Sequence, residues 1–281
     1  MDKKTAIITG ASGGIGFEIT KSVANSGYRV IMACQNIEKA NIQRELLVHE
    51  TGNHDIEVKY INLASLRSVS EFADELLKKE ESIRILMNNA GTIATCKKST
   101  EDGIESTTSI NYISHYLLVR KLLPLMSNGT RIVNMVSCTY TIGKIDFPDF
   151  FIHGSRKRFN SLSVYSNTKL ALLLFTFELS GKLKELGIVV NAVDPGVVST
   201  NIISMKKWFD PLTDIFFRPF IRTPKKGAST AIDLLLNEKY GSVSGKLFAG
   251  NKMKKVGNKY TDPVIRKKLW RETEKIVEVF L

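Results

Sequence analysis

Tyr165-Ser-Asn-Thr-Lys169 is the pair with the clearest chemical use in this 281-residue chain. A separation of four puts phenol and ammonium on one face of a helix, one turn apart. A free tyrosine keeps its proton up to a pKa of about 10, too high for ready exchange near neutrality, and a neighbouring cation favours the phenolate. Tyr165 is therefore a candidate proton donor or acceptor, with Lys169 tuning it. Ser137 ends an expected strand over residues 131 to 136, where its hydroxyl could hold a carbonyl oxygen beside Tyr165 or simply cap a turn. Asn88 and Asn89, in Met87-Asn-Asn-Ala-Gly91, end another expected strand, as ligand neighbours or plain turn residues. Asn111 falls inside an expected helix, where asparagine is a poor choice unless its amide is used; the alternative is a solvated helix residue.

A second kind of site precedes these. Residues 5 to 16 carry an apolar run, Ala6, Ile7 and Ile8, straight into a turn with glycines at 10, 13, 14 and 16. A helical pattern follows from Ile15 to Ser26. Strand, glycine turn and helix N-terminus leave unpaired N–H groups and a positive dipole end facing one point, which suits a pyrophosphate. The spacing Thr9-Gly10-x-x-x-Gly14-x-Gly16 differs from the general G-x-G-x-x-G fingerprint, and a tight connection with no ligand is the competing reading.

Elements able to position such residues alternate along the chain. Strands are expected at 28–33, 56–61, 83–87, 131–136, 188–193 and 246–248. The helices between them are expected at 37–50, 66–79, 101–126, 164–186, 225–237 and 263–279. Helices of this length between strands imply crossover connections and a parallel sheet covered on both faces. The expected fold class is α/β: a doubly wound Rossmann-type fold, with seven parallel strands in the order 3-2-1-4-5-6-7 and helices on both faces. No composition break divides the 281 residues, so a single domain is expected, with long connections at 138–163 and 197–223.

Composition narrows the class. No apolar stretch approaches the roughly 20 residues of a membrane span, and the first residues read as strand and loop, so a soluble cytoplasmic protein is expected. Cys34, Cys96 and Cys138 have neither paired nor metal-type spacing, and read as small core residues in a reducing compartment. No metal is expected. Net charge is +12, and residues 246 to 281 hold ten Lys/Arg against four Asp/Glu. Without a recognised binding motif this excess does not call for nucleic acid; it can serve solubility or attract a polyanionic cofactor.

Taken together, Thr9-Gly10-x-x-x-Gly14-x-Gly16, Asn88-Asn89-Ala90-Gly91, Asn111, Ser137, Tyr165-x-x-x-Lys169 and Pro195-Gly196 occur in the order and spacing seen in short-chain dehydrogenases/reductases. The chain resembles that family over nearly its whole length. Its later segments, from Pro195-Gly-Val-Val-Ser-Thr200 to Leu269-Trp270, look like the retinol-dehydrogenase-like branch. An N-terminal membrane anchor, frequent in that branch, is not expected here.

The resemblance implies hydride exchange between a nicotinamide and an alcohol or carbonyl substrate. Tyr165 would be the acid/base and Lys169 would bind the nicotinamide ribose. Ser137 would orient the substrate oxygen, and Asn111 would support a relay water. Gly10, Ser12, Gly14, Ile15 and Gly16 would lie under the adenine ribose and pyrophosphate. Asn62 and Leu63 would lie near the adenine, Asn89 and Ala90 beside the ribose, and Pro195, Gly196 and Val198 would flank the nicotinamide. At the end of the second strand Ala33-Cys34-Gln35-Asn36 holds no acid, so nothing there repels a 2′-phosphate; NADP(H) is favoured, with NAD(H) second. Gln35 stands where the related branch often has Arg, Gly13 where many NADP members carry a base, and only Lys39 is a nearby cation. Trp208, Phe209, Ile215, Phe216, Phe217 and Phe220 suggest an apolar lid over a bulky substrate, or else an oligomer or membrane-surface contact. A homodimer or homotetramer through helices 101–126 and 164–186 is a family expectation, and a catalytically silent NADP-binding sensor is the alternative function.

Overall fold

Every residue of Thr5–Thr9 is buried, and this run forms β1 at the centre of the sheet. The computed structural model describes residues 4–79, 82–147, 149–152, 159–198 and 222–281. After β1 come α1 (Gly14–Asn25), β2 (Arg29–Cys34), α2 (Ile37–Thr51), β3 (Ile56–Tyr60), α3 (Leu66–Lys78) and β4 (Ile83–Asn88). A short α4 (Ser106–Thr108) then runs through a π turn, Ser109–Ile113, into α5 (Ser114–Leu122). The chain continues through β5 (Met126–Met135), α6 (Ser161–Lys182), β6 (Val189–Asp194) and α7 (Pro224–Leu236). It ends with β7 (Leu247–Ala249), β8 (Lys252–Lys254) and α8 (Pro263–Val277).

One sheet holds eight strands in the order β3-β2-β1-β4-β5-β6-β7-β8. Pairing is parallel from β3 to β7, which gives the expected Rossmann-type α/β order. The eighth strand was not expected: Gly250 (φ 57) and Asn251 (φ 58) make a turn that lets β8 return antiparallel beside β7. Two consecutive residues with positive φ match the hairpin turns whose twist suits flanking strands. Lys252 and Lys254 leave that outer edge charged, which discourages pairing with another chain.

Side chains alternate across the sheet, so neighbours in sequence serve different cores. Ile7, Ile31, Leu86 and Ile132 face α3, α5, α6 and α8. Ala6, Ile8, Val30, Met32 and Met87 face α1, α2 and α7. Helix starts are set by side chains that accept from otherwise unpaired N–H groups: Asn36 from Lys39, Ser65 from Ser68, Asn160 from Ser163 and Thr223 from Lys226.

Two expectations need correction. The helix read over 101–126 starts later, at Ser106, widens into the π turn at Ser109–Ile113, and has ended where β5 begins at Met126. Of the cysteines only Cys34 is in the core; Cys96 lies exposed in the loop beyond β4, and Cys138 is exposed at the start of the 3₁₀ turn beyond β5. At the basic end of the chain, Leu269, Thr273 and Val277 of α8 are buried against α5 and α6. The aromatic lid residues from Trp208 to Phe220 lie outside the described residues.

Candidate active site

The carboxyl ends of β1, β4, β5 and β6 open into one cavity of about 520 Å³. Gly10, Gly14, Ile15, Gly16, Asn89 and Ala90 line one side of it, and Ser137, Tyr165, Lys169, Pro195, Gly196 and Val198 the other. Thus the glycine turn and the Tyr-Lys pair, 155 residues apart between Gly10 and Tyr165, share one space. Val136, Ile93, Leu162 and Val197 give it apolar walls.

The glycine turn has the shape of a cradle. A Cβ at Gly16 would lie 2.2 Å from the Gly10 carbonyl oxygen, and one at Gly10 would lie 3.2 Å from Ala90 on a φ of 64°. Neither position tolerates a side chain. Gly13 caps α1 without a side-chain hydrogen bond, so the first N–H groups of the helix face the cavity without a side-chain acceptor there. Those donors, together with the dipole, fit the phosphates of a dinucleotide.

Tyr165 and Lys169 stand on the first turns of α6, beside the end of β5. Lys169 Nζ donates to the Met135 carbonyl at 2.9 Å and lies 5.4 Å from the Tyr165 ring centroid. Burial pushes the Tyr165 phenol up to about 12, opposed by a hydrogen bond with Ser137 and reinforced by the Asp194 charge. Burial also pushes Lys169 down to about 8, against the pull of Asp194. Desolvation thus outweighs the lowering that spacing alone suggests for the phenol, with the ammonium held by the Met135 carbonyl.

Asn111 does not line the cavity but reaches it through its neighbours. Its side chain is fully buried: Oδ1 accepts from Thr92 N at 2.8 Å, and Nδ2 donates to Thr92 O at 2.9 Å and Thr168 Oγ1 at 3.1 Å. The reading of Asn111 as a solvated helix residue is thereby excluded. Gly91 lies between Asn111 and Lys169, since a Cβ there would be 3.3 Å from Asn111 Oδ1 and 3.4 Å from Lys169 Nζ.

Other expected residues fall outside this cavity. Gln35 donates to Asn62 at 3.2 Å where β2 and β3 end, farther along the same edge of the sheet. Ser12 interacts with the buried Cys34 thiol. Leu63 is buried, and its carbonyl accepts from Ser109 at 3.1 Å and Ser114 at 2.7 Å, which anchors the π turn. On the β6 side, Gly196 has φ 76, and the Arg222 guanidinium lies 3.1 Å from where its Cβ would be. Asp194 Oδ1 accepts from Gly196 N at 3.0 Å.

Thr9, His115 and Lys39 also belong to this region. Thr9 is legible only as the start of the glycine motif, and His115 gives no signal in the sequence. Lys39 Nζ would lie 3.4 Å from a Cβ at Gly13, so it covers the turn from the first residues of α2. No group of His, Cys, Asp and Glu suited to a metal occurs among the described residues, and no helix among them is long and apolar enough to cross a membrane.

Comparison with known proteins defines the class. The family described as short chain dehydrogenase matches residues 4–150 and 152–208. Retinol dehydrogenase 13 of Homo sapiens is 34% identical over 281 residues, spanning 98% of this chain and 84% of the human protein. Retinol dehydrogenase 14 of Mus musculus is 35% identical over 294 residues, spanning 99% of this chain and 87% of that protein. Among solved structures, an uncharacterized protein from Mycobacterium Paratuberculosis superposes with a TM-score of 0.78 at 26% identity, over 98% of this chain and 93% of the other. A short chain dehydrogenase from Burkholderia cenocepacia in complex with NADP superposes with a TM-score of 0.71 at 22% identity, over 90% and 99%. The chain belongs to the short-chain dehydrogenase/reductase family, in its retinol-dehydrogenase-like branch, and with it to the nicotinamide-dependent oxidoreductases.

Proposed function

We propose that residues 1 to 281 act as one domain, an NADP(H)-dependent oxidoreductase that interconverts an alcohol and a carbonyl on a bulky apolar substrate. The observation that carries this reading is the meeting of Ser137, Tyr165 and Lys169 with the glycine turn in one cavity. Nicotinamide, when bound, supplies or accepts the hydride. Tyr165 moves the proton at the substrate oxygen, and Ser137 holds that oxygen by a hydrogen bond. Lys169, whose charge persists at neutral pH, fixes the ribose and favours the phenolate when the proton leaves.

A phenol held protonated at neutrality is set to donate its proton to a carbonyl oxygen, and takes it back in the reverse step. Ile93, Leu162 and Val197 at the cavity support an apolar substrate. Preference for the 2′-phosphorylated cofactor is supported by the missing acid at Gln35 and by the Lys39 ammonium over the glycine turn. The test is a fluorescence titration with NADPH and NADH, followed on the same sample by nicotinamide absorbance with a panel of apolar ketones. NADPH-dependent turnover that disappears in Tyr165→Phe, with binding retained, is the expected result. Binding without turnover of any ketone would favour a sensor, and no binding of either nucleotide would remove the proposal.

A further inference from the structure

His115 is fully buried in the first turn of α5, yet no step of the proposed reaction uses it. Its Nδ1 lies 3.4 Å from the Asn111 carbonyl and its Nε2 lies 3.1 Å from Thr9 Oγ1. Hydrogen-bond accounting fixes the protons. A carbonyl only accepts, so Nδ1 must carry the hydrogen. Thr9 Oγ1 already accepts from the N–H groups of Asn89 and Ala90, both at 3.0 Å, which occupies its two lone pairs. Its proton is thus free for Nε2, the nearer acceptor, with the Met87 carbonyl at 3.4 Å as the alternative. Burial holds the imidazole neutral, down at about 3, and the Lys169 charge works in the same direction. A neutral ring with one donor and one acceptor satisfies both neighbours.

We propose that His115 is a positioning residue that joins the two halves of the active site. Through Thr9 it orients the hydroxyl that clamps the Asn89–Ala90 turn onto the end of β1; through Asn111 it holds the π turn whose amide braces Thr92 and α6. The Asn89–Ala90 side faces the glycine cradle, and the Asn111 side adjoins Lys169 across Gly91. A π turn re-aims the residues that follow it, and here it brings the ring between these two groups. The effect on turnover rests on the oxidoreductase reading; the proton arrangement of the ring does not.

The test has two arms. In the first, ¹⁵N-labelled wild-type protein is examined by long-range ¹H–¹⁵N NMR; of its four histidines, the signal lost in His115→Gln identifies the ring. Expected is a protonated-type Nδ1 and an unprotonated-type Nε2, unchanged between about pH 6 and 8, where a free histidine titrates. A proton on Nε2, or titration in that range, would overturn the proposal. In the second arm, NADPH affinity and kcat/KM are measured for His115→Leu and His115→Gln. Loss of the hydrogen bonds in His115→Leu is expected to cost roughly tenfold in kcat/KM and to weaken NADPH binding, whereas the amide of His115→Gln, with both donor and acceptor, recovers most of it. Equal impairment of the two variants would mean that only ring packing matters, and wild-type behaviour of His115→Leu would mean that the bonds carry nothing; either sinks the idea. If His115→Leu does not fold, the NMR result and the His115→Gln kinetics decide. Wild-type protein that binds no nucleotide would remove the oxidoreductase reading while leaving the ring tautomer to be judged by itself.

Discussion

Lys169 on α6 donates to the carbonyl of Met135, the last residue of β5, across 2.9 Å. A buried ammonium with one carbonyl partner is costly to keep charged, and its pKa has fallen to about 8 from 10.5. Between those values the unfolded chain binds a proton that the folded chain does not, so stability rises with pH across that window, and the cost is fully present below it. Replacing Lys169 by Met should therefore raise the melting temperature of the cofactor-free protein at pH 7 by roughly 2–4 °C while cutting turnover by about a hundredfold or more. Differential scanning calorimetry and the ketone assay check the two halves; a variant that is less stable would contradict the assigned cost.

The raised phenol of Tyr165 predicts an asymmetric pH dependence. Ketone reduction needs the protonated form, and with a pKa pushed up to about 12 it should stay nearly flat from about pH 6 to 9. Alcohol oxidation needs the phenolate and should keep rising with pH over that range. Initial rates in both directions on one buffer series provide the measurement.

Gly91 separates the Asn111 amide from the Lys169 ammonium. A methyl group there would approach them to 3.3 and 3.4 Å, tight enough to force one to move. Gly91→Ala is expected to lower kcat by about tenfold or more and to weaken NADPH binding, because the displacement reaches both the reacting end of the site and the lysine that holds the ribose. Unchanged kcat would show that the two side chains shift without consequence.

Lys39 belongs to the opposite end. Asn36 caps α2 by accepting from Lys39 N, and this places the lysine in the first turn with its Nζ over Gly13. Reversing the charge with Lys39→Glu should weaken NADPH by at least about tenfold and leave NADH within about twofold, since a phosphate contact is lost and replaced by repulsion. Equal loss for both nucleotides in the fluorescence titration would argue against recognition of the 2′-phosphate.

Trp270 is the central contact of α8. Its indole lies 4.9 Å from the Tyr116 ring and 5.9 Å from Phe175, and the Arg120 guanidinium lies 5.4 Å from its centroid. Trp270→Ala is expected to destabilise the fold by about 3 kcal/mol, the lower end for aromatic truncation because the ring is only partly buried. Urea unfolding with a second probe of the active site would show whether α8 loosens before the rest.

Much of this architecture is legible in sequence because parallel strands buried on both faces read as short apolar runs between helices. Tyr165, Lys169, Ser137 and the glycines were likewise legible, since spacing alone puts the first pair on one helical face and the last group in a turn. The π turn was not, because one wider turn within a helical run leaves the apolar pattern almost intact. Consequently Asn111 read as a helix residue of uncertain use, and His115 carried no signal at all: a histidine gains its role from two partners, one of them 106 positions away. Spacing shows the charge of Lys169 near Tyr165 but not the burial that raises the phenol.

The helix that closes the chain lies across α5 and α6. Tyr112 shares a hydrogen bond of 2.8 Å with Thr273, Glu274 takes Arg120 and the Tyr116 hydroxyl, and Arg266 reaches Glu178 at 2.7 Å. That is the same face through which a homodimer or tetramer was expected from sequence. On that face α8 covers the Tyr112, Tyr116 and Phe175 rings. The chain thus carries its own resident guest on part of that face, tethered at an effective concentration that keeps those rings covered.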